Sequence, residues 1–254
     1  MRLAVVSDVH GSADALARAS DGVDALVCLG DLILFLDYHD ESGGIFAELF
    51  GAEAARRLVQ LRTERRFDEA RDWSRSLWAG VEDPKRAIED AVRAQYAALF
   101  AVMPDPSYLT YGNVDMPYLW PDYLRPGHTV LDGQTTVIGG KTWGFVGGGL
   151  TTPMRTPFEV SDNDYAAKVA ALGPVDVLAC HIPPDLPELL YDVVARRFER
   201  GSVAVLDYVR EVQPELVLFG HVHQPLQSRA RIGRTECVNV GHFQGTGRPY
   251  LLEY

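Results

Sequence analysis

Two histidines one residue apart, His221 and His223, follow the apolar run Leu216-Val217-Leu218-Phe219 across Gly220. A buried strand that ends in a tight turn is a rigid mount for two imidazoles, and imidazole is the commonest metal ligand in proteins. The pattern recurs. Asp8 and His10 follow Leu3–Val6, Asp31 follows Asp24–Leu29, Asn113 follows Tyr108–Tyr111, and His181 ends Val175–Cys180. Taken singly, each is bland: an Asp after a strand is ordinarily a turn or cap residue, a lone His fills surface or core, and Gly-Asn is a turn signal. Recurrence at strand tips far apart in sequence points instead to a shared site. Carboxylate, amide oxygen and imidazole suit Mn, Fe or Zn better than a thiolate-seeking metal. The donor set exceeds what one tetrahedral ion takes. It suits two divalent ions about 3.5–4 Å apart, with one aspartate and a water between them. Such a pair lowers the pKa of the bridging water toward neutrality, so the expected nucleophile is a metal-bridging hydroxide that attacks a phosphoryl group held by both ions. Two divalent ions, two aspartates and one hydroxide leave about +1, enough to attract a phosphate ester.

The elements that must position these donors read as α/β. Leu3–Val6, a helix opening at Ser12, and Asp24–Leu29 form strand, helix, strand, and ligands in such sheets bind at the carboxyl ends of the strands. From about Gly43 to Met103 apolar residues recur at helical spacing, as at Leu58, Leu61, Ile88, Val92, Tyr96 and Leu99, with Asp83-Pro84 as cap and first helical residue. That stretch is far longer than a crossover requires. It is expected to be a helical insertion, residues 43–103, serving either as core cover or dimer face or as a cap that selects substrate. Thr129–Gly149 reads as hairpins, with turns at Asp132-Gly133 and Gly139-Gly140. Pro117, Pro121 and Pro126 mark a loop. Ser161 opens a helix to Leu172, Gly201–Val212 is helical, and Gln227–Ile232, Thr235–Val240 and Pro249–Glu253 close the chain as strands. Apart from the insertion, residues 1–254 form one domain.

A hydrophobic share of 47% with 23% charged residues is ordinary for a globular chain. No apolar run approaches the roughly 18–20 residues needed to span a bilayer, and Ser7-Asp8 interrupts the opening strand too early for a signal-peptide core. The expectation is a soluble, cytoplasmic protein without a membrane partner. Cys28, Cys180 and Cys237 form no CxxC pair and read as buried reduced thiols. A net charge of −11 argues against nucleic acid as the main partner. It leaves room for a small phosphate ester, because bound cations reverse the sign locally.

Asp8-Val9-His10-Gly11, Gly30-Asp31, Gly112-Asn113-Val114-Asp115, His181 and Gly220-His221-Val222-His223 together resemble, in order, the signature of the calcineurin-like metallophosphoesterases. Asn239-Val240-Gly241 resembles that family's Asn-Pro-Gly segment. The resemblance covers the chain except the helical insertion, and implies a four-layer α-β-β-α sandwich with metals at the strand tips. By position it implies one metal on Asp8, His10, Asp31 and His223, and a second on Asp31, Asn113, His181 and His221. Asp31 and Asn113 are then candidate catalytic residues as well as ligands. Two divalent cations are the implied cofactors, with Mn2+ favoured and Fe or Zn as alternatives.

Two departures narrow the resemblance. Many members have Gly-Asn-His, whose histidine contacts the phosphoryl group or protonates the leaving group; here the position is Val114. An isopropyl group cannot donate a proton. Loss of general-acid help costs on the order of 10²–10⁴ in rate for a poor leaving group. Small bacterial and archaeal phosphodiesterases of the family also lack that histidine, and share the Asp-x-His-Gly-Ser opening. His242, just after Gly241, is the candidate substitute; His39 and His128 are weaker ones. After Asp31 comes Leu32-Ile33-Leu34, unlike the Asp-Arg-Gly block of protein phosphatases or the metal-binding tyrosine of purple acid phosphatases. The leading expectation is hydrolysis of a small phosphodiester. The alternatives are a phosphomonoesterase or nucleotidase, and a metal-binding interaction protein with vestigial catalysis, in which the insertion serves as contact surface or homodimer face.

Overall fold

Short apolar runs bounded by glycine and aspartate become the central strands of a computed structural model that describes residues 1–254. In chain order the elements begin with β1 (Arg2–Val6), α1 (Ala13–Ala19) and β2 (Ala25–Cys28). Four helices follow: α2 (Ile45–Phe50), α3 (Ala52–Thr63), α4 (Phe67–Trp78) and α5 (Pro84–Val102). Then come β3 (Ser107–Leu109), a 3-10 turn (Pro117–Asp122), β4 (His128–Val130), β5 (Gln134–Ile138) and β6 (Lys141–Val146). A two-stranded pair, β7 (Gly149–Leu150) and β8 (Glu159–Val160), precedes α6 (Asp162–Ala170) and β9 (Val177–Cys180). After α7 (Pro187–Leu190), β10 (Tyr191–Asp192) and β11 (Arg197–Phe198) form a small ribbon. The chain ends with α8 (Val203–Val212), β12 (Leu216–Phe219), β13 (Arg229–Ile232), β14 (Thr235–Asn239), α9 (Phe243–Thr246) and β15 (Tyr250–Glu253). Local chemistry sets several starts. Asp83, Ser161 and Ser202 each accept a backbone N–H of the first turn of α5, α6 and α8.

The strands make two main sheets. The first has the order β15-β1-β2-β3-β4, parallel except for β15. The second has the order β13-β14-β12-β9-β6-β5, with a parallel centre and antiparallel β13 and β5 at its edges. Successive side chains of a strand point to opposite faces, so each strand feeds two cores. Leu3, Val5 and Val27 of the first sheet meet Trp143, Phe145 and Leu218 of the second. Ala4, Val6 and Leu26 face Leu16 of α1 and Val92, Tyr96 and Phe100 of α5. Leu178 and Val217 face Tyr165 of α6 and Val205 and Val209 of α8. These three cores are the interfaces of a four-layer α-β-β-α sandwich.

The helices between β2 and β3 divide between two cores. On α5, Val92, Tyr96, Leu99 and Phe100 pack on the first sheet, so this helix is the outer layer of the sandwich. Leu36, Phe46, Ala55, Leu58, Leu61 and Ala70 form a separate small core shared by α2, α3 and α4. Residues 45–78 are therefore a helical subdomain built on the crossover.

Gly139-Gly140 makes a hairpin turn, with φ of 60° and 79° joining antiparallel β5 and β6. Asp132-Gly133 does not. β4 pairs in parallel with β3 in the first sheet, and the chain crosses at this dipeptide into the second. Gly133 does take positive φ, and its N–H bonds the Phe145 carbonyl. A bend residue fixes local curvature only; the partner of β4 is chosen by the sheets, between which Leu131 is buried. Of the prolines expected in a loop, Pro117 and Pro121 lie in the 3-10 turn, which buries Leu119 and Trp120, and Pro126 lies in a separate turn before β4. All three cysteines are buried and none forms a disulfide. No helix is long and apolar enough to cross a membrane.

Candidate metal centre

The loops that leave β1, β2, β3, β9 and β12 meet at one rim of the sandwich and bring all seven expected ligands together. Close approach needs residues without side chains, as at Gly220 and Gly112. A Cβ on Gly220 would fall 2.0 Å from Ser7 Oγ, and one on Gly112 would fall 2.0 Å from Asp31 Oδ1. Asp8, His10, Asp31 and His221 all have positive φ, between 43° and 67°. Such backbone costs on the order of 1–3 kcal/mol per residue and persists only where its surroundings enforce it. Here the enforcement is a lattice of bonds between tips. Asp8 N–H donates to Gly30 O at 3.0 Å, His10 N–H to Asp31 O at 3.0 Å, and His221 N–H to Asp8 Oδ2 at 3.0 Å.

The donor atoms form two touching groups. In one, His10 Nε2 lies 3.4 Å from His223 Nε2, which is 3.4 Å from Asp8 Oδ1. In the other, His181 Nε2 and His221 Nδ1 each lie 3.0 Å from Asn113 Oδ1. Asp31 touches both: its Oδ2 is 3.4 Å from His181 Nε2, and it lies with Asp8 and His10 in a set whose ligand atoms are all within 4.8 Å. Backbone carbonyls orient two of the rings. Ile33 O is 2.9 Å from His10 Nδ1 and Leu29 O is 3.0 Å from His181 Nδ1. A carbonyl only accepts, so each Nδ1 carries the hydrogen and each Nε2 turns toward the centre. Asn113 Nδ2 donates to Thr156 Oγ1 at 3.1 Å, which turns its oxygen inward.

Electrostatics shows how well this set fits cations. Asp8 and Asp31 are buried, and Asp8 Oδ1 has no hydrogen-bond partner. Burial alone would push both carboxyls up; His223 beside Asp8 and His181 beside Asp31 hold them below the usual carboxylate range. Burial pulls His181 down, yet the Asp31 carboxylate outweighs it and the imidazole is pushed up to about 9. His223 is raised by Asp8 against the same penalty, whereas burial lowers His10 and His221. The carboxylates thus demand positive charge that protons on imidazoles must meet. Divalent cations meet it while displacing those protons. Facing imidazole nitrogens and a buried carboxylate oxygen that meets only the His223 ring, at 3.4 Å, fit that role.

Asp115, present in the motif but without an assigned part, proves central to the architecture. Its carboxylate accepts N–H bonds from Asp31 at 2.9 Å, Leu32 at 3.0 Å and Gly112 at 2.8 Å, and the Tyr96 hydroxyl at 3.3 Å. One buried side chain so ties the tips of β2 and β3 to α5. Burial first, then Asp31, pushes it up to about 6 against the pull of those N–H groups. Asn239 does similar work behind β12, donating to Val222 O at 2.9 Å. The 3.6-residue stripe of α5 hides a second support, since Gln95 brackets Leu34 with bonds of 2.7 and 3.1 Å.

The three further histidines part company. His242 stacks on His223, with ring centroids 3.8 Å apart and planes within 6°. Its Nε2 lies 3.3 Å from Gln244 Oε1, and Gln244 is held in turn by Asp37 at 2.9 Å. Burial, then His223, pushes it down to about 4. His128 lies on β4, 3.2 Å from Asp105, and His39 is exposed in the loop before α2. Val114 enters the site by its backbone, whose N–H donates to Asp31 Oδ1 at 2.9 Å.

The family model for calcineurin-like phosphoesterases matches residues 1–225. No curated protein matches the chain. Among solved structures, a provisionally assigned 5′-nucleotidase from Staphylococcus aureus, determined with alpha-ketoglutarate, is 15% identical with a TM-score of 0.41. That alignment covers 94% of this chain and 48% of the other, so the chain spans about half that protein's length. On the matched residues, which include every strand-tip ligand, this chain belongs to the calcineurin-like phosphoesterases.

Proposed function

We propose that the protein is a dinuclear metal-dependent phosphoesterase that hydrolyses a small phosphodiester. The observation that carries this reading is the place of Asp31, which touches both donor groups at once. Asp8, His10, Asp31 and His223 would hold one cation, and Asp31, Asn113, His181 and His221 the other. When bound, such a pair supplies an activated water and positive charge for the phosphoryl oxygens, with Mn2+ suited to this mixed oxygen and nitrogen set. The protein's own part is to fix geometry. The Ile33 and Leu29 carbonyls aim His10 and His181, Thr156 aims Asn113, and Asp115 holds the loops beneath Asp31. His10, Asn113, His221 and His223 are half-buried, and a substrate reaches the centre from their side.

The diester preference rests on the resemblance at Val114 to the small phosphodiesterases that also lack this histidine. With no imidazole there, the site favours esters, of either kind, whose leaving groups depart with little protonation. His242 stands beside the cluster as the substitute, but its Nε2 is engaged by Gln244, which suits a hydrogen-bonding part better than proton delivery. Steady-state assays with Mn2+ on bis-p-nitrophenyl phosphate and p-nitrophenyl phosphate test the reading. The diester should turn over faster. Unchanged turnover in Asp31→Ala or His221→Ala would sink the metal mechanism, and faster monoester cleavage would replace the diesterase with a monoesterase.

A further inference from the structure

A cleft of about 370 Å³ lies between the helical subdomain and the loop that joins β7 to β8. Its size is in the range of small-molecule sites. Arg62 of α3, Arg71 and Arg75 of α4, and Arg155 of the loop line it, together with the rings of Phe67 and Trp78. Four guanidiniums around one cleft stand out in a chain of net charge −11. Arg71 and Arg75 are paired with Asp68 and Asp72 of their own helix, at 2.9 and 2.7 Å. Arg62 donates to the Tyr38 hydroxyl at 3.4 Å instead of to a carboxylate, and Arg155 makes no ion pair. Two guanidiniums are therefore available to an anion, and planar guanidinium suits phosphate oxygens in particular.

The cleft is joined to the metal centre by the loop itself. Arg155 is followed by Thr156, whose hydroxyl receives the Asn113 amide at 3.1 Å. Consecutive Cα atoms lie about 3.8 Å apart, so the cleft wall is one residue removed from a ligand contact. Glu159 makes the loop a fixed partition, accepting from Thr152 N–H and hydroxyl at 2.8 and 2.6 Å and from Thr156 N–H and hydroxyl at 3.0 and 2.9 Å. Arg155 itself is held at φ 53°.

We infer that this cleft is a subsite for the non-reacting part of the substrate, and that this part carries both an anionic group and a flat apolar group, as a nucleotide does. The guanidiniums of Arg62 and Arg155 take the anion, and the Phe67 and Trp78 rings take the flat group. The inference rests on the phosphoesterase reading only for which end of the ester lies at the metals.

Calorimetric titration of the metal-free protein with ADP, pyrophosphate and adenosine tests it without turnover. ADP should bind at least about tenfold more tightly than either fragment, and the Arg62→Gln/Arg155→Gln double variant should weaken ADP binding at least about tenfold. In the Mn2+-loaded enzyme, the same variant should lower the kcat/KM ratio of thymidine 3′-phosphate 5′-p-nitrophenyl phosphate, whose non-reacting part carries a second phosphate, to thymidine 5′-p-nitrophenyl phosphate by a similar factor. ADP binding that is absent, equal to that of pyrophosphate, or unchanged in the double variant overturns the subsite. Absence of turnover in the wild type would overturn the hydrolase reading instead and leave the titration to decide the subsite.

Discussion

The two sheets bring different chemistry to the rim. The first supplies the oxygen donors Asp8, Asp31 and Asn113 with one imidazole, His10; the second supplies imidazoles alone, His181, His221 and His223. Their supports differ as well. The tips of β2 and β3 are tied to each other within the first sheet, by Asp115. The imidazoles of the second sheet lean on the first: His181 Nδ1 bonds Leu29 O, and the His221 N–H bonds Asp8 Oδ2. The oxygen side is a preformed platform, and the nitrogen side closes onto it. Neither sheet alone offers a complete set for either proposed ion, so each ion would bridge the sandwich.

Removing the shared residue should break this comparison most severely. Asp31→Ala should cost on the order of 10³-fold or more in kcat and deplete bound metal, read by bis-p-nitrophenyl phosphate turnover beside elemental analysis. The platform comes next. Asp115→Ala strands buried N–H groups of Asp31, Leu32 and Gly112. At about 1–3 kcal/mol for each lost partner, the variant should lose roughly 3 kcal/mol of stability or more in a urea melt. Metal affinity should fall about 10- to 100-fold, as for other supports of ligand geometry. Full metal affinity in a destabilised Asp115→Ala protein would show that the platform is not preorganised in this way. Stripping metal tests the bridge itself. An ion present at 100 times its Kd stabilises by about 2.7 kcal/mol, which for a chain of this size is roughly 5–10 °C in Tm. Chelation by EDTA, which removes both ions, should lower the melting temperature by about twice that amount and Mn2+ should restore it; a melting temperature indifferent to metal would deny the bridge.

The ligands were legible because each stands directly after an apolar run, in a sequence short enough to read locally. The βαβ order was legible for the same reason, because Leu3–Val6 and Asp24–Leu29 are continuous apolar runs of the kind buried on both faces, whereas the four layers followed only from the family resemblance. What was hidden depends on partners distant in sequence. Asp115 works by receiving N–H groups from residues on another strand's loop, and no local pattern marks an acceptor for them. The stripe of α5 has the same period as those of α3 and α4, although one packs on the sandwich and the others on a private core. Periodicity reports a buried face without naming what buries it. Asp132-Gly133 misled in the same way, since a bend between two strands does not say that they pair with each other. The partition loop of Thr152, Arg155, Thr156 and Glu159 has no periodic signal at all, yet it touches the metal centre through Asn113.

The smallest expected effect separates the rim from the centre. His242 stacks on His223, has a ring nitrogen within 4.8 Å of those of His10 and His223, and spends its Nε2 on Gln244. If the oxygen platform and the imidazoles suffice to fix the chemistry, His242→Ala removes packing and one hydrogen bond. That should cost about 1 kcal/mol, roughly fivefold in kcat. A donor of the leaving-group proton would cost about 10²–10⁴ instead, and the loss would grow as the leaving group worsens. Measuring the variant across a series of aryl phosphodiesters distinguishes the two. A uniform, small loss keeps His242 at the edge of the site, whereas a loss that steepens with leaving-group pKa would make it the acid that Val114 cannot be.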